Sequence, residues 1–421
     1  MLTTALIVFW SSVAVVVFTL GVFPLWTWLR GRWFERPIAE GNIEPTLSVV
    51  IACYNEERHI RGRIENLLAC DYPREKLEVV VASDGSTDAT EQIVRDFGQP
   101  SIRAVRVNRG GKGLALNAGV AAATGEVLVF TDANTEFAVD ALRALVRRLA
   151  DPTIGCVAGN QIYLRDGQSS LSADGECLHW SLDTWQKEMQ SRGGSATSAT
   201  GAIYALRASC FDPVPRNVMD DYYISTGAIA RGLRIVFAAD ARAFEPVATK
   251  SGVEFSRKTR VATQGLRAVW ARRSLLNPLR HGWYAVQAFT HKVLRRLLVI
   301  PFLAMMVSAS VLAKTEPVYL PIPAGALALG LLAACGYLLR GTRVGRSKLF
   351  TFPYFFCMTQ CAMLLAAIRT ARGQGLPQWE PERHSHGAAT TGGPVAAGPV
   401  AAGPVAAGVG GESSILGGNR S

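Results

Sequence analysis

Leu47-Ser-Val-Val-Ile-Ala-Cys-Tyr-Asn-Glu56 decides the fold. Its first seven residues form a short, β-branched apolar run between Pro45 and Asn55, as expected of a strand buried on both faces of a parallel sheet. Downstream, Ile60, Ile64, Leu67 and Leu68 make the apolar stripe of a helix, which Asn55 is expected to cap. The pattern then repeats. Leu77–Ala82 reads as a second strand ending at Ser83-Asp-Gly-Ser-Thr-Asp88, where Asp88 and Glu91 have the spacing of a capping-box variant opening a helix to Phe97. Ile102–Val107 is a third strand, Gly113–Ala123 a helix, and Glu126–Phe130 a fourth strand running into Thr131-Asp-Ala-Asn134. Strand alternating with helix predicts an α/β fold with a doubly wound sheet. Such sheets bind ligands beyond the carboxyl ends of their strands, and the polar clusters all fall there.

Those clusters are the candidate chemistry. Tyr54, Asn55 and Glu56 follow the first strand, Asp84 the second, and Asp132 and Asn134 the fourth. A carboxylate can accept a ring N–H from a base. Asp132 with a divalent cation can offset the charge of a diphosphate, since hard cations take oxygen ligands and retain phosphates and waters. Asx residues at strand ends also serve as plain caps and turns; three clusters at successive strand ends favour a site. Gly110-Gly-Lys-Gly113 resembles a phosphate loop but has neither the Walker nor the dinucleotide spacing. A flexible turn is the plainer reading, although Lys112 at a helix start can attract phosphate. Asp220-Asp221 offers a general base for a hydroxyl and a residue suited to a helix N-terminus.

Apolar residues concentrate at the two ends of the 421-residue chain. Leu6–Leu29 is long enough to cross a bilayer, and Arg30, Arg32 and Arg36 after it put the following domain in the cytosol. Further spans are expected at about Leu297–Leu312, Val318–Leu339 and Leu349–Ile368, with Lys314–Pro317 outside and Arg340, Arg343, Arg346 and Lys348 inside. The net charge of +11 reflects a stretch from Arg257 to Arg296 with no Asp or Glu, which favours a membrane surface. No zinc-finger spacing or aromatic-basic series points to nucleic acid. Trp270, Leu275, Leu276, Leu279, Trp283 and Tyr284 read as interfacial amphipathic helices. The eight scattered cysteines fit a reducing compartment. Gly-Pro-Val-Ala-Ala-Gly repeats mark a low-complexity tail. The expected division is residues 1–30 as a membrane helix, 45–262 as the catalytic domain, 263–296 as interfacial helices, 297–370 as three spans and 371–421 as tail.

Together these motifs resemble the inverting, membrane-bound members of glycosyltransferase family 2, the group with cellulose, chitin and hyaluronan synthases. The resemblance covers about Leu47–Arg260 and implies a GT-A type, Rossmann-like nucleotide-sugar domain flanked by transmembrane helices. Val50–Glu56, with Tyr54 and Glu56, looks like the nucleotide-binding first strand, and Asp84 like the nucleoside contact. Asn108–Asn117 is similar to the segment that brings Lys112 near the donor. Thr131–Asn134 resembles the metal motif Asp-x-Asp, with Asn134 in place of the second Asp, and implies Mg²⁺ or Mn²⁺. Asp220-Asp221 resembles the acidic pair whose second member is the base, which selects Asp221. Gly201–Arg207 looks like part of the acceptor-side wall. Arg257 and Arg260 match positions that face the leaving diphosphate, while Val261 stands where polymerising members carry Trp. Trp379 and Arg383 fall in a tail segment common among these proteins. The implied reaction takes a nucleotide-sugar, UDP-linked by expectation, to a saccharide or lipid-linked acceptor at the membrane. The rival from another class is a non-catalytic membrane sensor with a degenerate transferase fold.

Overall fold

A computed structural model describes residues 1–164, 171–246, 254–345 and 347–374. Trp379, Arg383 and Arg346 lie outside the described residues. The strands are β1 (Leu47–Cys53), β2 (Leu77–Asp84), β3 (Ile102–Val107), β4 (Val127–Thr131), β5 (Glu136–Phe137), β6 (Ile154–Leu164), β7 (Tyr204–Arg207) and β8 (Arg234–Pro246). They form one mixed sheet in the order β3-β2-β1-β4-β7-β6-β8-β5.

β1 shows why the opening decapeptide is decisive. All seven of its residues are buried. Side chains alternate across a strand, so Leu47, Val49, Ile51 and Cys53 join Ile60, Ile64 and Leu67 in one core, while Val50 and Ala52 join Ala115 and Leu116 in the other. The helices Ile60–Leu68 and Lys112–Ala122 therefore cover opposite faces. Each fully buried Ile or Leu here stabilises the fold by roughly 1.5–3 kcal/mol.

The parallel expectation holds for β3-β2-β1-β4. It fails beyond β4: β7 runs antiparallel to both β4 and β6, and β6 returns parallel to β8. β7 enters at the rim where β4 ends, with the Thr131 hydroxyl donating to the Ala202 carbonyl at 2.8 Å. It then descends beside β4, from Tyr204 opposite Phe130 to Arg207 opposite Val127.

Two capping expectations are also corrected. The helix begins at Ile60 after His59. Asn55 instead takes a left-handed φ of 56°, and its side-chain oxygen accepts the Thr87 N–H at 2.8 Å, tying the end of β1 to the turn after β2. Asp88 accepts from the Thr90 N–H at 3.0 Å, two residues on. Glu91 turns inward to accept from Ser83 at 2.8 Å.

Among the described residues, three helices are long and apolar enough to cross a membrane: Leu2–Trp33, Pro317–Leu338 and Lys348–Ala371. The span expected at Leu297–Leu312 is different. Val299–Leu312 has 14 residues, too few for a ~30 Å hydrocarbon core. It continues a helical run from Trp283 across a 54° bend, and the two parts together are apolar enough to be one broken span, so Trp283 and Tyr284 belong to that run. The basic helix before it, Glu254–Ala271, packs along Lys348–Ala371 and against the short helix Asp220–Ser225.

Candidate active site

Register brings the predicted residues to one rim. Cys53 pairs with Ser83, and Ile51 with Thr131, so the segments carrying Tyr54, Asp84 and Asp132 leave the sheet at neighbouring points. Helix Lys112–Ala122 can lie close over β1 and β2 because Gly119 has no side chain; a Cβ there would stand 2.7 Å from Val50 Cγ1 and 3.2 Å from Ala82 Cβ. The first residue of that helix is Lys112.

The Lys112 ammonium is the centre of the cluster. It lies 2.8 Å from Asp132 Oδ1 and 3.2 Å from Asp220 Oδ2. Burial alone would lower its pKa, but the charges of Asp132 and Asp220 outweigh burial and hold it well above the usual lysine range. Gly201 closes over this contact: a Cβ there would be 3.6 Å from Lys112 Nζ and 3.7 Å from Asp132 Oδ2.

The two adjacent carboxylates differ. Asp220 is paired with Lys112. Asp221 accepts the backbone N–H of Tyr222 at 2.5 Å. Burial, and then the like charge of Asp220, push the Asp221 carboxyl up to about 6, against the lowering pull of Lys292 and Lys112. A carboxylate in that range is suited to accepting a proton near neutral pH. Beneath them, the Tyr204 hydroxyl is buried and has no hydrogen-bond partner among the described residues. Burial, then Asp220 and Asp221, raise its pKa well above the usual phenol range.

Asp84 is placed otherwise than expected. It is fully buried. Its oxygens accept from the Gly110 N–H at 2.7 Å, the Gly111 N–H at 3.0 Å and the Arg109 guanidinium at 2.7 Å. The glycine loop thus points its amides at a carboxylate of the protein, which gives it neither the free amides of a phosphate loop nor the looseness of a plain turn. Gly111, at φ 100°, is in a region that favours glycine. Arg109 also stacks on Tyr54, 3.3 Å from the ring centroid. Glu56 bonds locally, its Oε2 lying 2.8 Å from His59 Nδ1.

At the end of β4, Asn134 donates through Nδ2 to Glu245 at 3.2 Å and keeps Oδ1 as an acceptor. Among the described residues no group of three His, Cys, Asp or Glu side chains could hold a metal alone. Arg257 and Arg260 lie on helix Glu254–Ala271. Arg260 is one turn before Gln264, whose carbonyl accepts the Met219 N–H at 3.3 Å beside the acidic pair.

Residue patterns missed three participants. Arg109 lay inside the quoted glycine segment without a role. Tyr204 lay in Gly201–Arg207 with nothing to set it apart. Arg63 interrupts the apolar stripe of Ile60 and Ile64, and that interruption was its signal. It is buried, donates to Thr131 Oγ1 at 2.9 Å, and its guanidinium lies 4.1 Å from the Phe137 ring centroid, bracing the strand end that carries Asp132.

Comparison with known proteins agrees with this fold. Residues 48–213 match glycosyl transferase family 2. The poly-beta-1,6-N-acetyl-D-glucosamine synthase of Staphylococcus epidermidis is 29% identical over 172 residues, 40% of this chain and 41% of that one. The beta-monoglucosyldiacylglycerol synthase of a Nostoc species is 26% identical over 214 residues, 49% of this chain and 45% of that one. The chain thus spans less than half the length of either curated relative. Among solved structures, a mannosyltransferase from Pyrobaculum calidifontis in complex with GDP-Man and Mn²⁺ has a TM-score of 0.62 at 23% identity, over 89% of this chain and all of that one; this likeness speaks to the fold. Residues 48–213 are thus a domain that matches glycosyl transferase family 2.

Proposed function

We propose that the chain transfers a sugar from a nucleotide diphosphate, with UDP as the nucleotide, to a saccharide or lipid-linked acceptor at the cytosolic face of a membrane, with inversion at the anomeric carbon. One observation carries this reading: Lys112 touches Asp132 on the donor side and Asp220 beside Asp221, at 2.8 and 3.2 Å. The names of the two curated relatives, a polysaccharide synthase and a glycolipid synthase, support the acceptor classes.

In this mechanism Asp221 takes the proton of an acceptor hydroxyl. The hydroxyl oxygen bonds to the anomeric carbon from the face opposite the nucleotide, and the bond from that carbon to the diphosphate oxygen breaks. An α-linked donor then gives a β product. Lys112 lies on the diphosphate side, and Arg257 and Arg260 neutralise charge on the departing phosphate. Tyr54 faces the nucleoside with Asp84, which reaches a base only by exchanging one of its present partners. Glu56 supports the turn beneath them. The oxygens of Asp132 and Asn134 fit a hard cation that also keeps phosphate and water ligands. Asp132 and Asn134 would hold Mg²⁺ or Mn²⁺, which would supply positive charge to the diphosphate.

The test is nucleotide release by the full chain in membranes, over a panel of UDP-, GDP- and TDP-sugars with Mg²⁺ or Mn²⁺. Release from one donor supports the reading. Nucleotide binding with no sugar loss from any donor would favour the sensor. A ladder of products on a gel would mark a polymerase, whereas a single-sugar product would fit Val261 at the position where polymerising members carry Trp.

A further inference from the structure

The sequence from residue 255 to 315 contains no Asp or Glu, so its cations must find partners elsewhere. Most do. Arg272 pairs with Asp212 at 2.7 Å. Two next to the acidic pair do not: among the described residues, neither Lys292 nor Arg296 makes an ion pair. Asp183, the carboxylate 3.9 Å from His291 Nε2, is held by Lys187 at 2.6 Å.

Both cations lie on the helical run Trp283–Leu297, close to the acidic pair. Lys292 lies in the π-helical turn Phe289–Leu294, a distortion often found at functional positions. Its ammonium is 5.7 Å from the ring centroid of Tyr222, the residue after Asp221, and its charge lowers the Asp221 pKa. Arg296 is four residues on and donates to the Lys292 carbonyl at 2.6 Å. Its guanidinium reaches helix Glu254–Ala271 at Gly265, where a Cβ would stand 2.8 Å from an Arg296 terminal nitrogen. Val293 packs between them with Tyr222, Ala268 and Val269. The run Trp283–Leu297 is also the first half of the bent candidate span.

Asp183 and Asp221 act on Lys292 only at a distance; half-buried cations that make no ion pair are costly, and an arginine fork with an ammonium matches a phosphate. We propose that Lys292 and Arg296 form a subsite for the phosphate of an anionic lipid acceptor, holding it so that a hydroxyl of the same lipid reaches Asp221. This rests on the transferase reading above and names its acceptor class.

The test titrates the full chain in neutral-detergent micelles with dodecyl phosphate, with inorganic phosphate and, separately, with UDP. Dodecyl phosphate should bind saturably and more tightly than inorganic phosphate. Lys292→Gln and Arg296→Gln should each weaken it by at least about tenfold, the scale of a charged hydrogen bond, while UDP binding, which also reports folding, stays unchanged. Equal affinity for dodecyl phosphate in wild type and both variants would overturn the subsite. So would inorganic phosphate binding as tightly as dodecyl phosphate, or a parallel loss of UDP binding, either of which would assign the cations to free phosphate or to the donor diphosphate. Dodecyl phosphate binding lost in the variants, in a protein that releases nucleotide from no donor, would keep the subsite and sink the transferase reading.

Discussion

Lys112 lies 3.2 Å from Asp220, and this pairing divides the labour of two neighbouring carboxylates. Asp220 is held by Lys112, while Asp221, beside it and half-buried, has its carboxyl pushed up to about 6. The resemblance selects the second member of the pair, and the pairing of the first with Lys112 supports that choice.

The acid limb of activity should follow from this arrangement. Asp221 must be ionised to accept a proton, so kcat/KM should rise with pH through an apparent pKa of about 6. Removing the like charge in Asp220→Asn should move the limb to lower pH, and removing the opposing cation in Lys112→Met should move it to higher pH. Profiles of nucleotide release between pH 4.5 and 8.5 check both directions.

Helix position should matter as much as the charges. Gly119→Ala places a methyl 2.7 Å from Val50 Cγ1, which overpacks the interface and should cost about 1–3 kcal/mol. Because the same helix begins at Lys112, activity per folded molecule should fall as well. Thermal denaturation and turnover of the purified variant test the two effects separately.

This helix also marks how far the sequence was legible. The first four strands, their parallel order and the rim of polar residues followed from alternation and short β-branched runs, because a strand covered on both faces leaves that pattern. β7 was not legible: four residues, Tyr204–Arg207, carry too little periodicity to fix a direction. Asn55 and Asp84 have side chains of the expected type, but their partners come from segments 32 and 25–27 residues away, a distance no local rule spans. The bend before Val299 was hidden because an apolar run looks alike straight or broken.

Metal dependence should be present and should pass through β4. Removal of divalent cations with a chelator should abolish nucleotide release, and Mn²⁺ or Mg²⁺ should restore it. In Asp132→Asn, which weakens both the cation's oxygen donor and the partner of Lys112, added metal should restore little. Activity that persists at full rate in excess chelator would remove the cation from the mechanism.

Gly201 should be sensitive to size without being needed for folding. Its Cβ position is in ordinary contact distance of Lys112 Nζ and Asp132 Oδ2, at 3.6 and 3.7 Å. Gly201→Ala should therefore leave the melting temperature nearly unchanged, whereas Gly201→Val should raise the donor KM by crowding the space over that pair.

The central claim is that Asp221 is the base and Asp220 the partner of Lys112. The most direct measurement compares single-turnover sugar transfer by wild type, Asp221→Asn and Asp220→Asn at pH 8, with donor affinity determined in each. Asp221→Asn should bind donor normally and transfer about two to four orders of magnitude more slowly, the usual span for a positioned base, while Asp220→Asn should lose less rate and weaken donor binding. Near-normal transfer by Asp221→Asn, or a larger rate loss in Asp220→Asn with donor binding intact, would contradict the assignment.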